Sequence, residues 1–245
     1  VTKLSFIYLI YTITSSAIIY RAFEKKLDTS AKYFLTAEMS MSVVALLLCL
    51  QNIDPFFSTP TMLAIANFSS IFSEISILFS IINLQKNTAS KHFFFGLLLI
   101  AFFAIFLEFL RVSFGSKIVI LLFNLLVSSI TICTYFYAKY KLNSELARNQ
   151  FMSSFRFFEL GLFFIAVIRV ASFFSDAPLV PRGAPTTLLV VVFSIYVVCS
   201  VFRYMSYIGL RITWLDPHTL ASNPLNRDLA KAIEEKNHLL RGLIA

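Results

Sequence analysis

The stretch FFFGLLLIAFFAIFLEFL, residues 93–110, carries a single ionisable side chain, Glu108. A helix that rises about 1.5 Å per residue needs about 20 apolar residues to cross the ~30 Å hydrocarbon core of a bilayer. A helix that is apolar on every side is buried in a large core or lies in lipid. The stretch therefore predicts a transmembrane helix.

Further apolar runs of similar length lie on both sides of this one, at 4–20, 33–50, 62–84, 118–137, 157–174 and 187–210. Because lipid offers no hydrogen-bond partners, each run must satisfy its own backbone polar groups as a helix. Over all 245 residues only 14% are charged, whereas soluble domains have about a quarter. The predicted fold class is an all-α, polytopic membrane helical bundle of about seven transmembrane helices, with membrane lipid as its surroundings.

The distribution of Lys and Arg predicts the orientation of the bundle. The first, third and fifth connections carry most of these residues, namely Arg21, Lys25, Lys26, Lys32, Lys86, Lys91, Lys139, Lys141, Arg148 and Arg156. The second connection has no basic residue, the fourth has Arg111 and Lys117, and the sixth has only Arg182. We therefore expect the N-terminus outside and the C-terminus in the cytoplasm.

The formal net charge of +8 reflects these orienting clusters, so nucleic acid is not an expected partner. No H-E-x-x-H motif, phosphate-binding glycine loop or G-x-S-x-G elbow is present, and the sequence therefore predicts no catalytic residue. His92, His218 and His238 have no metal-ligand spacing around them, so neither a metal nor another cofactor is expected.

Polar residues within the runs are candidates for function, since such residues are costly in lipid. With the orientation above, the outer half of the bundle gathers Asn67, Ser70, Glu74, Glu108, Arg111, Asn124 and Arg169. Asn67, Ser70 and Glu74 share one helix face, because they are spaced i, i+3 and i+7. One interpretation is a pocket for a small molecule, open to the outside and oriented by Arg169 and a glutamate. The alternative is a structural set of interhelical hydrogen bonds with one buried ion pair.

Two further ionisable residues, Glu159 and Arg203, lie near the cytoplasmic ends of their apolar runs. Side chains at such positions commonly extend to the membrane surface. We therefore expect both to reach the interface and to take no part in the interior.

After the last run the sequence becomes aqueous in character. Asp216-Pro217 and Asn223-Pro224 predict breaks, and Asn223 and Pro224 suit the start of a new helix. Within that helix, apolar residues follow a 4-3 spacing interrupted by Lys236, at Leu225, Leu229, Ala232, Leu239 and Leu243. Such spacing is typical of a parallel coiled coil, and the alternative is a solvated amphipathic helix. We accordingly divide the chain into a transmembrane domain, 1–211, and a cytoplasmic linker with the start of a signalling helix, 212–245.

The tail sequence AIEEKNHLLR at 232–241 resembles the signalling helix of bacterial membrane-bound sensor histidine kinases, where it leads into the dimerisation and phosphotransfer domain. The family's phosphoacceptor box and ATP-binding motifs are missing from this sequence, and His238 does not lie in such a box. The resemblance implies a membrane sensor in the bacterial inner membrane, a homodimer formed through the tail, and a kinase that follows Ala245.

Two other classes of function remain open. A small secondary transporter would use Glu74 or Glu38 for proton coupling. A complete seven-helix receptor would couple through its cytoplasmic loops, but neither a D-R-Y-like nor an N-P-x-x-Y-like motif occurs.

Overall fold

The structure is a computed structural model, which describes residues 2–22, 28–51, 53, 56, 59–84, 90–114, 116–174 and 187–222. Over these ranges every regular element is a helix, and there are eight: α1 (Thr2–Ala22), α2 (Thr29–Leu50), α3 (Pro60–Ile82), α4 (Ser90–Phe114), α5 (Ser116–Tyr140), α6 (Ser144–Arg148), α7 (Gln150–Phe173) and α8 (Thr187–Ser222). The prediction of an all-helical protein is confirmed for this part of the chain.

Each of the predicted apolar runs lies in a helix of its own, although several helices are longer than their runs. The helix α7 begins at Gln150, well before the run that starts at residue 157, and Asn149 caps it by accepting a hydrogen bond from the Phe151 amide. The helix α8 continues through Asp216-Pro217 to Ser222, so the predicted break at that pair is wrong. A proline removes only one backbone hydrogen bond, and a long helix can tolerate that loss. Residues 223–245, with the predicted coiled coil, lie outside the described residues.

Six helices form a closed ring. Going round the ring, α1, α2, α3, α5, α7 and α8 each pack against the next, and α8 returns to α1. In this order α3 and α8 occupy opposite sides of the ring. The helix α4 lies outside it and packs mainly on α3 and α5.

Polarity in this bundle is reversed relative to a soluble protein. Exposed large hydrophobic side chains occur on all seven long helices, and Phe94, Phe95, Leu98 and Phe102 of α4 are each more than 60% exposed. Serine, threonine, glutamate and arginine side chains are buried between the helices. Among the described residues, five helical segments are long and apolar enough to cross a membrane: Thr29–Leu50, Ala64–Ile82, Leu121–Tyr140, Gln150–Ser172 and Val190–Thr213. Exposed apolar side chains, buried polar side chains and long apolar helices together indicate a helical membrane protein whose apolar surface faces lipid.

Small side chains allow α2 and α3, the pair with the most extensive contact, to pack closely. The face of α3 carries Ser69, Ser73, Ser76 and Ser80, all buried and separated by about one turn each. On α2, Ser30 lies within hydrogen-bond distance of Ser80, and Ala31, Ala37 and Ala45 are fully buried. Interfaces of small residues are favoured in membranes, because lipid provides no hydrophobic force between helices and close packing must supply the attraction.

The end of the bundle at which α1, α3 and α5 finish and α2 and α7 begin is here called the basic end, since most of the Lys and Arg residues that the structure describes lie there. Asp28 caps α2 at this end by accepting a hydrogen bond from the Ala31 amide. The largest apolar cluster also lies in this half and joins residues from all six ring helices, among them Ile19, Phe34, Ile81 and Phe155. Packing at the basic end therefore fixes all six helices of the ring together.

Close contact between α7 and α8 depends on Gly161. A Cβ atom at this position would lie 2.9 Å from the Cys199 sulfur, which is closer than van der Waals contact allows. We expect Gly161→Leu to separate the two helices and to destabilise the protein by about 1–3 kcal/mol through overpacking. The measurement is the temperature at which the purified protein in detergent ceases to be monodisperse.

The matched control is Ala171→Leu, because Ala171 is exposed on the same helix. It should leave that temperature unchanged. Equal loss in both variants would contradict the assignment of Gly161 to a tight contact.

Candidate functional site

Arg203 of α8 reaches into the centre of the ring and binds two glutamates. Its Nη1 lies 3.0 Å from Oε2 of Glu74 on α3, and its Nη2 lies 3.4 Å from Glu74 Oε1. The same Nη1 lies 3.3 Å from Oε1 of Glu159 on α7. Arg203 is 2% exposed and Glu159 is fully buried. The guanidinium group thus connects three helices, including the two on opposite sides of the ring.

A third glutamate, Glu38 of α2, is also buried. Its Oε2 lies 3.0 Å from the hydroxyl oxygen of Ser15 on α1. That hydroxyl oxygen also lies 2.9 Å from the Thr12 carbonyl oxygen. Glu38 therefore has a hydroxyl partner on α1, whereas Glu74 and Glu159 share Arg203.

These four residues lie at a similar depth in the bundle. Glu38 and Glu159 lie about nine residues after the starts of α2 and α7, and Glu74 lies about eight before the end of α3, or roughly 12–14 Å at about 1.5 Å per residue. Arg203 lies about eight residues before Arg211, which is held at the start of α2. We call Glu38, Glu74, Glu159 and Arg203 the charged layer. A level of about 13 Å from one end is close to the middle of a ~30 Å hydrocarbon core.

Four tyrosines from α1 and α8 pack together along the inner side of these two helices. The Tyr11 ring lies edge-on to the Tyr204 ring at 5.7 Å, and the Tyr8 ring lies edge-on to the Tyr196 ring at 6.1 Å. The Tyr204 hydroxyl donates a hydrogen bond of 2.8 Å to the Ser15 carbonyl. These rings fill the interior with apolar surface and still supply polar atoms, as buried tyrosines commonly do.

Between the charged layer and the basic end, a second polar contact joins α2, α3 and α8. The Ser30 hydroxyl lies 2.8 Å from the Tyr207 hydroxyl and 3.2 Å from the Ser80 hydroxyl. The Tyr207 ring also stacks in parallel on the Phe34 ring, with centroids 3.8 Å apart. Ser30 and Ser80 are small, so the backbones of α2 and α3 approach closely at this level, and the long Tyr207 side chain reaches them from α8.

At the basic end itself, Arg211 forms an ion pair with Asp28. Arg211 Nη1 lies 2.8 Å from Asp28 Oδ2, and Arg211 is 3% exposed. Asp28 thus caps α2 with one carboxylate oxygen and holds α8 with the other. This contact fixes the point at which α8 leaves the bundle.

The residues predicted to form an outer-half site are only partly accounted for. Glu74 is buried and bound to Arg203, and Asn124 of α5 is buried. Asn67, Ser70 and Arg169 are each half-buried. Glu108 and Arg111 belong to α4, but their side chains lie outside the described residues. The pocket interpretation and its structural alternative both stay predictions, and the buried ion pair that the structure does show joins Glu74 to Arg203, a residue outside the predicted set.

The prediction that Glu159 and Arg203 extend to the membrane surface is wrong, since both side chains are buried in the interior. The error came from the apolar runs, which start at residue 157 and end at residue 210. The helices themselves begin at Gln150 and continue past Thr213, so both residues lie well inside. Equal distance from the helix ends is the signal that could have grouped them with Glu38 and Glu74.

The arrangement is suited to holding charge and protons. Three carboxyl groups and one guanidinium lie in a medium of low dielectric constant, where charges interact strongly and an unpaired charge is costly. Within the part of the chain that the structure describes, no group of three or more His, Cys, Asp or Glu residues could hold a metal ion.

Removing the cation should destabilise the bundle. Arg203→Met leaves Glu74 and Glu159 buried without their partner, and breaking a buried ion pair from one side costs roughly 3 kcal/mol or more. We expect a clear fall in the temperature at which the purified protein in detergent loses its monodispersity.

Restoring neutrality should reverse most of that loss. The triple variant Arg203→Met, Glu74→Gln, Glu159→Gln has no unpaired charge in this contact, and apolar or neutral replacements of a buried ion pair are often tolerated. If Arg203→Met alone were as stable as the parent protein, the charged layer would not hold the ring together.

Comparison with known proteins does not add to this description. No protein-family model, curated protein or solved structure matches the chain. What the chain does must be inferred from its own residues.

Proposed function

We propose that this chain is the membrane input module of a longer signalling protein. It detects a small molecule outside the cytoplasm or within the membrane, and it passes a helix shift to a cytoplasmic output domain, a histidine kinase. The supporting observation is α8, one continuous helix of 36 residues that carries Arg203 and extends past the span Val190–Thr213. Such a helix is about 54 Å long, well beyond the ~30 Å core of a bilayer.

The proposed topology has seven spans, with α1 and α4 added to the five long apolar segments. Two observations support the addition. The helix α1 has 21 residues and closes the ring between α2 and α8. The helix α4 has 25 residues and exposes phenylalanine and leucine along its length. With the basic end in the cytoplasm, as the Lys and Arg distribution favours, the N-terminus lies outside and α8 leads inward. A bacterial inner membrane agrees with the resemblance of the tail.

The contacts of α8 support its role as the moving element. Two ion pairs hold α8, one formed by Arg203 in the charged layer and one formed by Arg211 where the helix leaves the bundle. A helix that is held by two separate ion pairs can exchange one set of contacts for another through a small shift or rotation, as helices do in other switching proteins. A ligand that alters the charged layer would therefore change the position of α8 where it leaves the membrane.

The proposed small-molecule site lies in the outer half, between the charged layer and the end of the bundle opposite the basic end. Asn67 and Ser70 share the helix face of Glu74 and lead away from it toward that end. Asn124 lies on the buried face of α5, which packs against α3 and α7. Arg169 lies about ten residues beyond Glu159 on α7, or roughly 15 Å. Polar groups on three neighbouring helices thus lie on the side of the charged layer that faces away from the basic end.

The output helix is proposed to form a homodimer through its 4-3 apolar seam. In a protein whose free cysteines Cys49, Cys133 and Cys199 are replaced by alanine, Leu229→Cys should form disulfide-linked dimers in oxidised membranes. Asp228→Cys should form far fewer, because it is adjacent in sequence and lies off the seam. The measurement is the dimer band on a non-reducing gel, and equal bands for the two variants would contradict a parallel coiled coil at this position.

The signalling function itself is tested by the reading frame after Ala245. The expected result is a phosphoacceptor histidine box within about thirty residues of Ala245, a distance of about 45 Å if those residues are helical. A stop codon directly after Ala245 would overturn the proposal of a kinase input module.

The buried carboxyl groups favour one second candidate, a proton-coupled secondary transporter. Glu38 and Glu74 lie near the middle of the proposed membrane, where ionisable groups often act as proton relays. In proteoliposomes with an imposed pH gradient, a transporter would accumulate one of a set of radiolabelled amino acids, sugars or carboxylic acids, and Glu74→Gln would abolish the uptake. The absence of uptake with the whole set would leave the input module as the better proposal.

A further inference from the structure

The charged layer has more acids than bases. Glu38, Glu74 and Glu159 are all buried, and Arg203 is the cation that contacts Glu74 and Glu159. Arg156 and Lys32 lie nearer along α7 and α2, three and six residues from Glu159 and Glu38, but among the described residues neither forms an ion pair with a glutamate of the layer. Arg169 and Arg211 lie about ten and eight residues from Glu159 and Arg203, or roughly 12–15 Å. Arg211 is already paired with Asp28. If all three glutamates were ionised, the layer would hold two uncompensated negative charges at the middle of the bundle.

Such a state is strongly disfavoured, because a buried group without a counter-charge takes up a proton and becomes neutral. The carboxyl groups are the groups that can do so. The side chains that interact with them are Ser15, Tyr8 and Tyr11 from α1, and Cys199, Tyr196 and Tyr204 from α8. The tyrosine and cysteine side chains are neutral when protonated and add no positive charge.

The contacts indicate which glutamate stays ionised. Glu74 receives both terminal nitrogens of Arg203, one on each carboxylate oxygen, which is the favoured geometry for a guanidinium and a carboxylate. Glu159 receives one, at 3.3 Å, and its Oε2 is buried with no hydrogen-bond partner. A carboxylate with one buried oxygen left unpaired is less stable than the neutral acid.

Glu38 is neutral for a separate reason. The Ser15 hydroxyl has one proton, yet its oxygen lies within hydrogen-bond distance of both the Thr12 carbonyl and Glu38 Oε2. A carbonyl can only accept. If the hydroxyl donates to Thr12, the second bond exists only when Glu38 carries a proton and donates to Ser15. Protonated Glu38 therefore satisfies both contacts, whereas the carboxylate leaves the hydroxyl shared between two acceptors.

We propose that the charged layer is a proton-binding site, in which Glu38 and Glu159 are carboxylic acids and Glu74 is the carboxylate paired with Arg203. Each proton comes from water and joins one carboxylate oxygen, and it returns to water when the group ionises. In this state the four side chains have no net charge. The inference is independent of the proposed function, since a sensor or a transporter could hold the same protons.

The two halves of the bundle differ in how they could admit protons. Toward the basic end the interior is filled by buried apolar and aromatic side chains, including Phe34, Ile77, Ile81 and Tyr207. Toward the opposite end, apolar clusters around Met41 and Leu162 also fill part of the interior, but Ser70 and Asn67 extend a polar face of α3 away from Glu74. The two acids are thus expected to exchange with the outer side of the proposed membrane.

The test is infrared spectroscopy of the full chain, purified in detergent, with titration of pH and exchange into D₂O. The parent protein should show the carbonyl stretch of protonated carboxylic acids at neutral pH. This band should shift on deuteration and disappear at high pH. Absence of the band at neutral pH would overturn the proposal, and this measurement needs no variant.

Variants then assign the band to residues. Glu38→Gln and Glu159→Gln should each remove one of two contributions, and the double variant should remove both. Glu145→Gln is the matched control, because Glu145 is exposed on α6, and it should leave the band intact. A band that survives unchanged in a monodisperse double variant would place the protons elsewhere. A band that disappears on addition of sodium chloride at constant pH would also overturn the proposal, since the site would then bind a metal cation.

Discussion

The guanidinium group of Arg203 is the constraint on which the arrangement of the bundle depends. A cation at this depth must find its partners among the helices, because lipid offers none. Its partners come from α3 and α7, so three of the six ring helices must present their residues at one level and facing inward. The small side chains on α3 and the glycine of α7 that approaches α8 make this convergence sterically feasible.

The same constraint gives α8 a position unlike that of the other helices. It is held by charge in the middle of the ring and again at the basic end, and between these points Tyr207 stacks on Phe34. A shift of α8, such as the proposed signalling function requires, would therefore exchange one set of polar contacts for another. Two-state behaviour of this kind is what a transmitting helix requires. A neutral, protonated layer would bind α8 less rigidly than an array of fixed charges, so loss or gain of a proton would change the strength of that attachment.

Hydropathy alone was sufficient to place the helices, because each apolar run is close to the thickness of a bilayer. It also brought out Glu74 and Asn124 as interior residues. It could not pair Glu74 with Arg203, since the lateral order of helices in a bundle leaves no trace in the length or composition of a run. Glu159 and Arg203 were misplaced for a different reason. The first turns of α7 are amphipathic, and α8 stays helical past the end of its apolar run, so the ends of the apolar runs are not the ends of the helices. The pairing of Arg203 with Glu74 and Glu159 depends on tertiary contacts, which only the fold reveals.

The separation of the ion-pair partners along the chain has a consequence for biosynthesis. Glu74 and Arg203 are 129 residues apart, and at a synthesis rate of about 5–20 residues per second Arg203 follows Glu74 by roughly 6–26 s. During that interval α2 and α3 have already left the ribosome, while Arg203, the cation that pairs with Glu74, has not been made. Until α8 arrives, both helices hold buried carboxyl groups without Arg203, and its contact with Glu74 can form only after α8 has entered the bilayer. Formation of this ion pair is therefore a late step in assembly, and a chain stalled before α8 would lack the contact that joins α3, α7 and α8.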